Sequence, residues 1–159
     1  MSTGKRPRLA FAVQYAVAAT TLPAPAVLRR WARAALDRDA SVTIRFVGTR
    51  EGTRLNADFR GKDCATNVLS FVYDDTTPLS GDLVLCTPVL RREARDQGKA
   101  LADHCAHLVI HGMLHLQGID HRSARAARVM EAREIALLAG LGVPDPYADP
   151  YSGRPVRRG

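Results

Sequence analysis

Apolar and polar residues alternate over positions 9–17, with Phe11, Val13, Tyr15 and Val17 on one side. That two-residue period predicts a strand with one buried face. Residues 41–47 repeat it through Val42, Ile44 and Phe46, and the runs N-V-L-S-F-V-Y at 67–73 and D-L-V-L-C at 82–86 give two more strands. The loop between these last two carries Asp74, Asp75, Pro78, Ser80 and Gly81 and is short enough for a hairpin. Elsewhere the period lengthens. Pro23 and Pro25 suit a helix start, and Val27, Leu28, Trp31, Ala35 and Leu36 form a helical stripe with Arg29, Arg30 and Arg33 off it. A short helix is expected over 51–59. From Thr87 the chain turns helical again, with Pro88 opening a helix that Gly98 closes. A largely apolar helix follows over 99–117 and carries His104, His107, His111 and His115. A last helix, capped by Ser123, runs to Gly140 or Gly142, with Val129, Met130, Ile135, Leu137 and Leu138 facing inward and Arg122, Arg125 and Arg128 on a basic face.

Four strands with a helix after the first, then three helices, predict an α+β fold. The expected architecture is a single domain over 1–142: a roughly four-stranded mixed sheet packed with about five helices, the histidine-bearing helix buried against it. Residues 143–159, rich in proline and basic residues, read as a tail. No internal repeat and no second domain are visible.

Formal net charge is +7 and the pI about 9.9, which favours an anionic partner, nucleic acid being the commonest for a basic domain. Part of the excess sits at the ends, in Lys5, Arg6, Arg8, Arg154, Arg157 and Arg158. The three cysteines, Cys64, Cys86 and Cys105, form no C-x-x-C pair and are odd in number. That argues against a disulfide framework and for a reducing compartment, with Cys105 read as a small buried hydrophobe. The apolar stretch after Lys5 and Arg6 resembles a signal peptide, but Gln14, Tyr15, Thr20 and Thr21 interrupt it. The expectation is a cytoplasmic protein with no membrane span.

All five histidines fall between 104 and 121, and three of them read H-G-M-L-H-L-Q-G-I-D-H. His111 and His115, four apart, share a helix face. Gly118 can take the left-handed conformation that ends a helix, so that His121 returns to the same ion. Three imidazoles at this spacing predict one metal ion per chain, zinc first, with a fourth position open as in catalytic sites. The skeleton is that of the metzincin peptidases, which place a glutamate directly after the first histidine as general base. Here that position is Gly112, so peptidase chemistry is not supported.

The histidine run closely resembles the H-G-x-L-H-L-x-G-Y-D-H signature of the YbeY-type endoribonucleases, bacterial metalloproteins of ribosomal RNA maturation. L-N-A-D-F-R-G-K-D-C-A-T-N-V-L-S-F at 55–71 resembles a second signature of that family, and G-D-L-V-L-C at 81–86 a third. Trp31, M-E-A-R-E at 130–134 and L-G at 141–142 also match, so the likeness spans about 8–146. It departs at Phe59 and Ile119, where the family has Tyr, and at Val72, where it has Pro. The resemblance implies zinc on His111, His115 and His121, an important arginine at Arg60, and action on single-stranded RNA, chiefly the 3′ end of 16S rRNA, with a part in ribosome quality control. Its implied partners are ribosomal RNA and the small ribosomal subunit or its assembly factors, with neither DNA nor membrane.

A guanidinium can stabilise the extra negative charge of a phosphodiester transition state through two parallel hydrogen bonds, and Arg60, placed in a loop between the short helix and the central strand, is the candidate. Lys62 and Asn67 are candidates for contacting backbone phosphate or positioning a base; each could equally be a solvated charge and a turn residue. His104 and His107 read as buried residues supporting the site ahead of proton shuttles, and Asp120 as a helix cap. No residue stands out as general base, and attack by water or by the RNA 2′-hydroxyl stays open. The rival reading is a non-catalytic, zinc-stabilised RNA-binding factor of ribosome assembly.

Overall fold

The computed structural model describes residues 6–60, 67–76, 78–119 and 121–148, without the side chains of Phe59 and Arg60. Along the chain run β1 (Leu9–Tyr15), α1 (Pro25–Ala34), β2 (Ala40–Val47), α2 (Thr49–Arg60), β3 (Val68–Asp74), β4 (Leu79–Cys86), α3 (Thr87–Asp96), α4 (Leu101–Leu116) and α5 (Ala124–Gly140). The expected α+β architecture is what forms. The sheet order is β1-β2-β4-β3. β1 pairs parallel with β2, β2 parallel with β4, and β3 closes an antiparallel hairpin on β4. β3 is therefore an edge strand, not the central strand expected after the Arg60 segment, because its hairpin folds onto the outer side of β4.

β4 begins at Leu79, three residues before the alternation suggested. It is paired on both sides, and the polar run Ser80, Gly81, Asp82 is held by ladder bonds to β2 and β3 in spite of its composition. Along β4 the side chains divide by strand period between two cores. Leu83 and Leu85 join the larger one, with Ile44 and Phe46 of β2, Leu28 and Trp31 of α1, and Val109, Ile110, Met113 and Leu114 of α4. Val84 and Cys86 join a smaller cluster with Val47, Leu69 and Val89, against which Leu55 of α2 packs. α2 begins two residues before and ends one residue after the short helix expected over 51–59, and Arg60 is its last residue rather than part of the following loop.

α4 is buried along most of its length, from His104 to Leu116. Its approach to the sheet is close enough that a Cβ on Gly112 would stand 2.7 Å from Leu83 Cδ2. The C-terminal end of α4 is pinned to α1. Gln117 Nε2 donates to the Ala35 carbonyl at 2.7 Å, and Gln117 Oε1 accepts from the Asp37 amide at 2.6 Å. On α5 Met130 and Leu138 of the expected inward face are buried and Ile135 and Leu137 half-buried, but Val129 is 61% exposed, and Glu134 completes the buried stripe. Residues 143–148, expected as the start of a tail, lie against α4 and α5, with Lys99 Nζ donating to the Pro146 carbonyl. No helix among the described residues is long and apolar enough to cross a membrane.

Candidate active site

α4 ends as the glycine predicted. Gly118 has φ +94°, in the left-handed region, and nothing crowds its absent Cβ. The Gly118 amide donates to the His115 carbonyl and the Ile119 amide to the Leu114 carbonyl, the bond pair of a Schellman cap. The chain turns there, and Ser123 Oγ accepts from the Ala126 amide to start α5. Between these two helix ends the turn returns His121 to the rings of α4. The His121 ring centroid lies 5.6 Å from that of His111 and 6.3 Å from that of His115. Rings sharing one tetrahedral ion with Zn–N of ~2.0–2.1 Å would stand roughly 5 Å apart. Among the described residues, no three His, Cys, Asp or Glu side chains have their donor atoms already drawn together closely enough to hold an ion. The His121 ring is a neighbour of both α4 rings, at centroid distances close to that spacing.

His111 is half-buried, while His115 and His121 are exposed. The inner side of His111 is fixed by Glu134, which is fully buried. Glu134 Oε2 accepts from His111 Nδ1 at 2.7 Å, and Oε1 accepts from His107 Nε2 at 2.8 Å and from the Tyr147 hydroxyl at 2.5 Å. Burial alone would raise the Glu134 pKa, but the hydrogen bonds from His107, His111 and Tyr147 outweigh it and lower the pKa to about 2. The group is a carboxylate. An ionised carboxylate only accepts, so the 2.7 Å contact calls for a proton on His111 Nδ1, which in the neutral ring leaves the lone pair on Nε2, turned the other way. An imidazole so held is the ligand form that zinc takes, and an all-imidazole donor set fits that ion.

The rings stand at the end of a groove of about 600 Å³, lined by Asn67, the length of β3 to Tyr73, and His111, His115 and His121. A second, smaller hollow of about 230 Å³ shares Asn67, His111 and His121 and continues past Met130 and Glu134 to Tyr147.

Comparison with known proteins decides what this arrangement belongs to. The family model for Endoribonuclease YbeY matches residues 19–142. The chain belongs to the YbeY family. It is 58% identical over 144 residues to Endoribonuclease YbeY of Aromatoleum aromaticum, covering 89% of this chain and 94% of that one. It is 54% identical over 139 residues to Endoribonuclease YbeY of Nitrosomonas europaea, covering 87% and 85%, and 51% identical over 150 residues to that of Methylibium petroleiphilum, covering 93% and 100%. Among solved structures, the solution structure of TM1509 from Thermotoga maritima superposes with a TM-score of 0.54 at 22% identity, covering 89% of this chain and 97% of that one. That likeness concerns the fold alone.

Of the residues singled out from this YbeY-family sequence, His111, His115, His121 and Asn67 come together around one groove. The backbone of Arg60 ends α2; Lys62, Cys64 and Asp120 lie outside the described residues. Asn67 sits at the entrance to β3. Its Oδ1 accepts from the Val68 amide at 2.7 Å and its Nδ2 donates to Glu93 of α3 at 3.2 Å. The same Glu93 accepts from His104 Nε2 at 3.0 Å. Burial pushes the His104 pKa down, against the pull of Glu93 upward. His104 and His107 thus each meet a buried or half-buried carboxylate. Burial pushes the Cys105 thiol up to about 12, so it stays a neutral core residue.

Three participants escaped the reading of the sequence: Glu134, Glu93 and Tyr147. Glu134 left a signal. It stands four residues after Met130 and four before Leu138, an acid in the middle of the buried stripe of α5. A carboxylate at such a position needs partners, and the unassigned histidines of α4 were the available ones.

Proposed function

We propose that this member of the YbeY family is an endoribonuclease that hydrolyses single-stranded RNA at a zinc site on His111, His115 and His121, acting in the cytoplasm in maturation of the 3′ end of 16S rRNA and in ribosome quality control. Family membership supports internal cleavage of RNA, since the relatives matched over nearly their whole length bear the name Endoribonuclease. The observation that carries the rest is the set of three histidine rings at the end of an open groove, with the innermost held by a buried carboxylate. Zinc bound there supplies Lewis acidity toward a phosphoryl oxygen and lowers the pKa of its water toward ~7.

The chain's own residues would divide the remaining work. His111 and His115 come from one helix face and His121 from the turn, so the three approach from different directions and leave one side open to the groove. Arg60 offers the fork of donors suited to a phosphodiester that gains charge in the transition state. Lys62 would neutralise backbone phosphate. Asn67, locked between the Val68 amide and Glu93, would present its edge to the strand entering the groove. A groove bordered by one exposed strand edge suits an extended strand of RNA, whose bases are accessible for recognition. The domain so defined is 1–142, with Tyr147 of the following segment packed on it.

The test is cleavage of a labelled single-stranded RNA by the purified protein beside His115→Ala prepared identically, each stripped by chelator and resupplied with zinc. The wild type should cut only with zinc restored, and His115→Ala should not cut. Equal cleavage by both would mean that the activity comes from elsewhere. Zinc-dependent RNA binding without cleavage would favour the assembly-factor reading.

A further inference from the structure

We propose that Glu134 is the positioning residue of the metal site: it fixes the tautomer and plane of His111, and the segment after α5 completes it through Tyr147. The inference rests on the zinc reading of the three histidines and adds to it a residue from α5 and one from beyond it.

Both oxygens of Glu134 are committed. Oε2 takes the Nδ1 proton of His111, and Oε1 takes the Nε2 proton of His107 and the hydroxyl of Tyr147. A buried carboxylate with a free oxygen could swing to bind a cation itself; with three donors it is spent on orientation. Each donor comes from a separately placed element. His107 and His111 lie one turn apart on α4, Glu134 faces them from α5, and Tyr147 arrives on a segment anchored by the Lys99 to Pro146 bond. The Tyr147 ring also packs edge-on against His107 at 5.3 Å between centroids. His107 and Tyr147 thus fix Glu134, and Glu134 fixes His111.

The chemical consequence lies at the other ring nitrogen. With its proton committed to Nδ1, the neutral His111 ring offers Nε2 as an electron pair, the form a metal requires. Glutamine at 134 would have nearly the same shape but only one accepting oxygen. Its amide would then face either the His111 or the His107 side with donors, and the preference that holds the His111 proton on Nδ1 would weaken.

The experiment has two readouts apart from activity. In the zinc-free wild type, two-bond 15N–1H NMR correlations of the imidazoles should show His111 with its proton on Nδ1. In Glu134→Gln that assignment should become mixed or reversed, and zinc affinity, measured by competition with a chromophoric chelator, should weaken about 10–100-fold. Tyr147→Phe, which keeps the ring and removes one donor, should weaken it by less than about tenfold. A wild-type His111 protonated on Nε2 would overturn the proposal, whether or not Glu134→Gln folds. So would a folded Glu134→Gln with unchanged affinity, which would leave the zinc site standing. A wild type with no measurable zinc affinity would overturn the metal reading itself, and this proposal with it.

Discussion

Arg60 closes α2 at the point where the chain leaves the helix for the segment leading to Asn67. A lysine there would bring the same charge, but the planar fork of arginine addresses two phosphate oxygens at once. If that fork meets the transition state, its removal is a kinetic event and leaves the metal and the fold alone. Arg60→Ala should therefore bind zinc as the wild type does, melt at the same temperature, and lose about 10²–10³ in kcat, the usual effect of deleting one charge-stabilising donor. Single-turnover cleavage beside a zinc assay measures both halves, and full turnover in the variant would remove Arg60 from the chemistry. The return of His121 to the histidines of α4 was legible because that spacing is a property of a single helix and its cap. Glu134 was legible only as an acid set among apolar residues, and Tyr147 not at all, since each acts across elements: which partners they meet is decided only when α4 lies against them. The displaced reading of Val129 has a related cause. α5 carries apolar residues around much of its circumference, so periodicity alone could not choose the face that Met130, Glu134 and Leu138 occupy.

Among the elements, α4 has the greatest demand placed on it, since it must be core and site at once. Leu108, Val109, Ile110, Met113, Leu114 and Leu116 are buried, while His111 and His115 open toward the groove. Gly112 is what lets the helix settle onto β4. In the peptidases with similar histidine spacing that position carries the general base; here its missing side chain is a packing requirement, because the Cβ direction points into Leu83, itself fully buried. Gly112→Glu would thus fail to create a peptidase. Overpacking costs about 1–3 kcal/mol, and a carboxylate forced into the interior adds a penalty of several kcal/mol unless it escapes. The expected result is a loss of about 3 kcal/mol or more of stability in urea denaturation, with no peptide hydrolysis. A variant unfolding at the wild-type midpoint would show that α4 and β4 are not in the contact described. The strands tell the same story of context. β1 and β2 were readable from alternation because each presents distinct faces, whereas the first residues of β4 are polar and become strand only because β2 and β3 flank them on both sides.

Across the whole molecule, the question is where the net charge of +7 acts. Arg154, Arg157 and Arg158 would attract any polyanion from the end of the chain, and so would Lys5, Arg6 and Arg8 from its start. Attraction of that kind raises encounter and weak affinity without setting a register. Lys62, two residues beyond the end of α2 and five before Asn67, belongs by sequence to the approach to the groove. The two contributions separate by salt. For single strands, each phosphate neutralised adds about −0.7 to the slope of log K against log salt. Lys62→Ala, assayed with an uncleavable RNA analogue by fluorescence anisotropy, should reduce the magnitude of that slope by about 0.7 and slow cleavage at fixed RNA concentration. Replacing Arg157 and Arg158 together by serine should flatten the slope as well, yet leave the cleavage position and saturated rate as they were, because attraction of that general kind raises encounter without setting a register. A Lys62→Ala protein with the wild-type slope would mean that no phosphate rests on Lys62, and the burden of backbone neutralisation would pass to Arg60 and the chain ends.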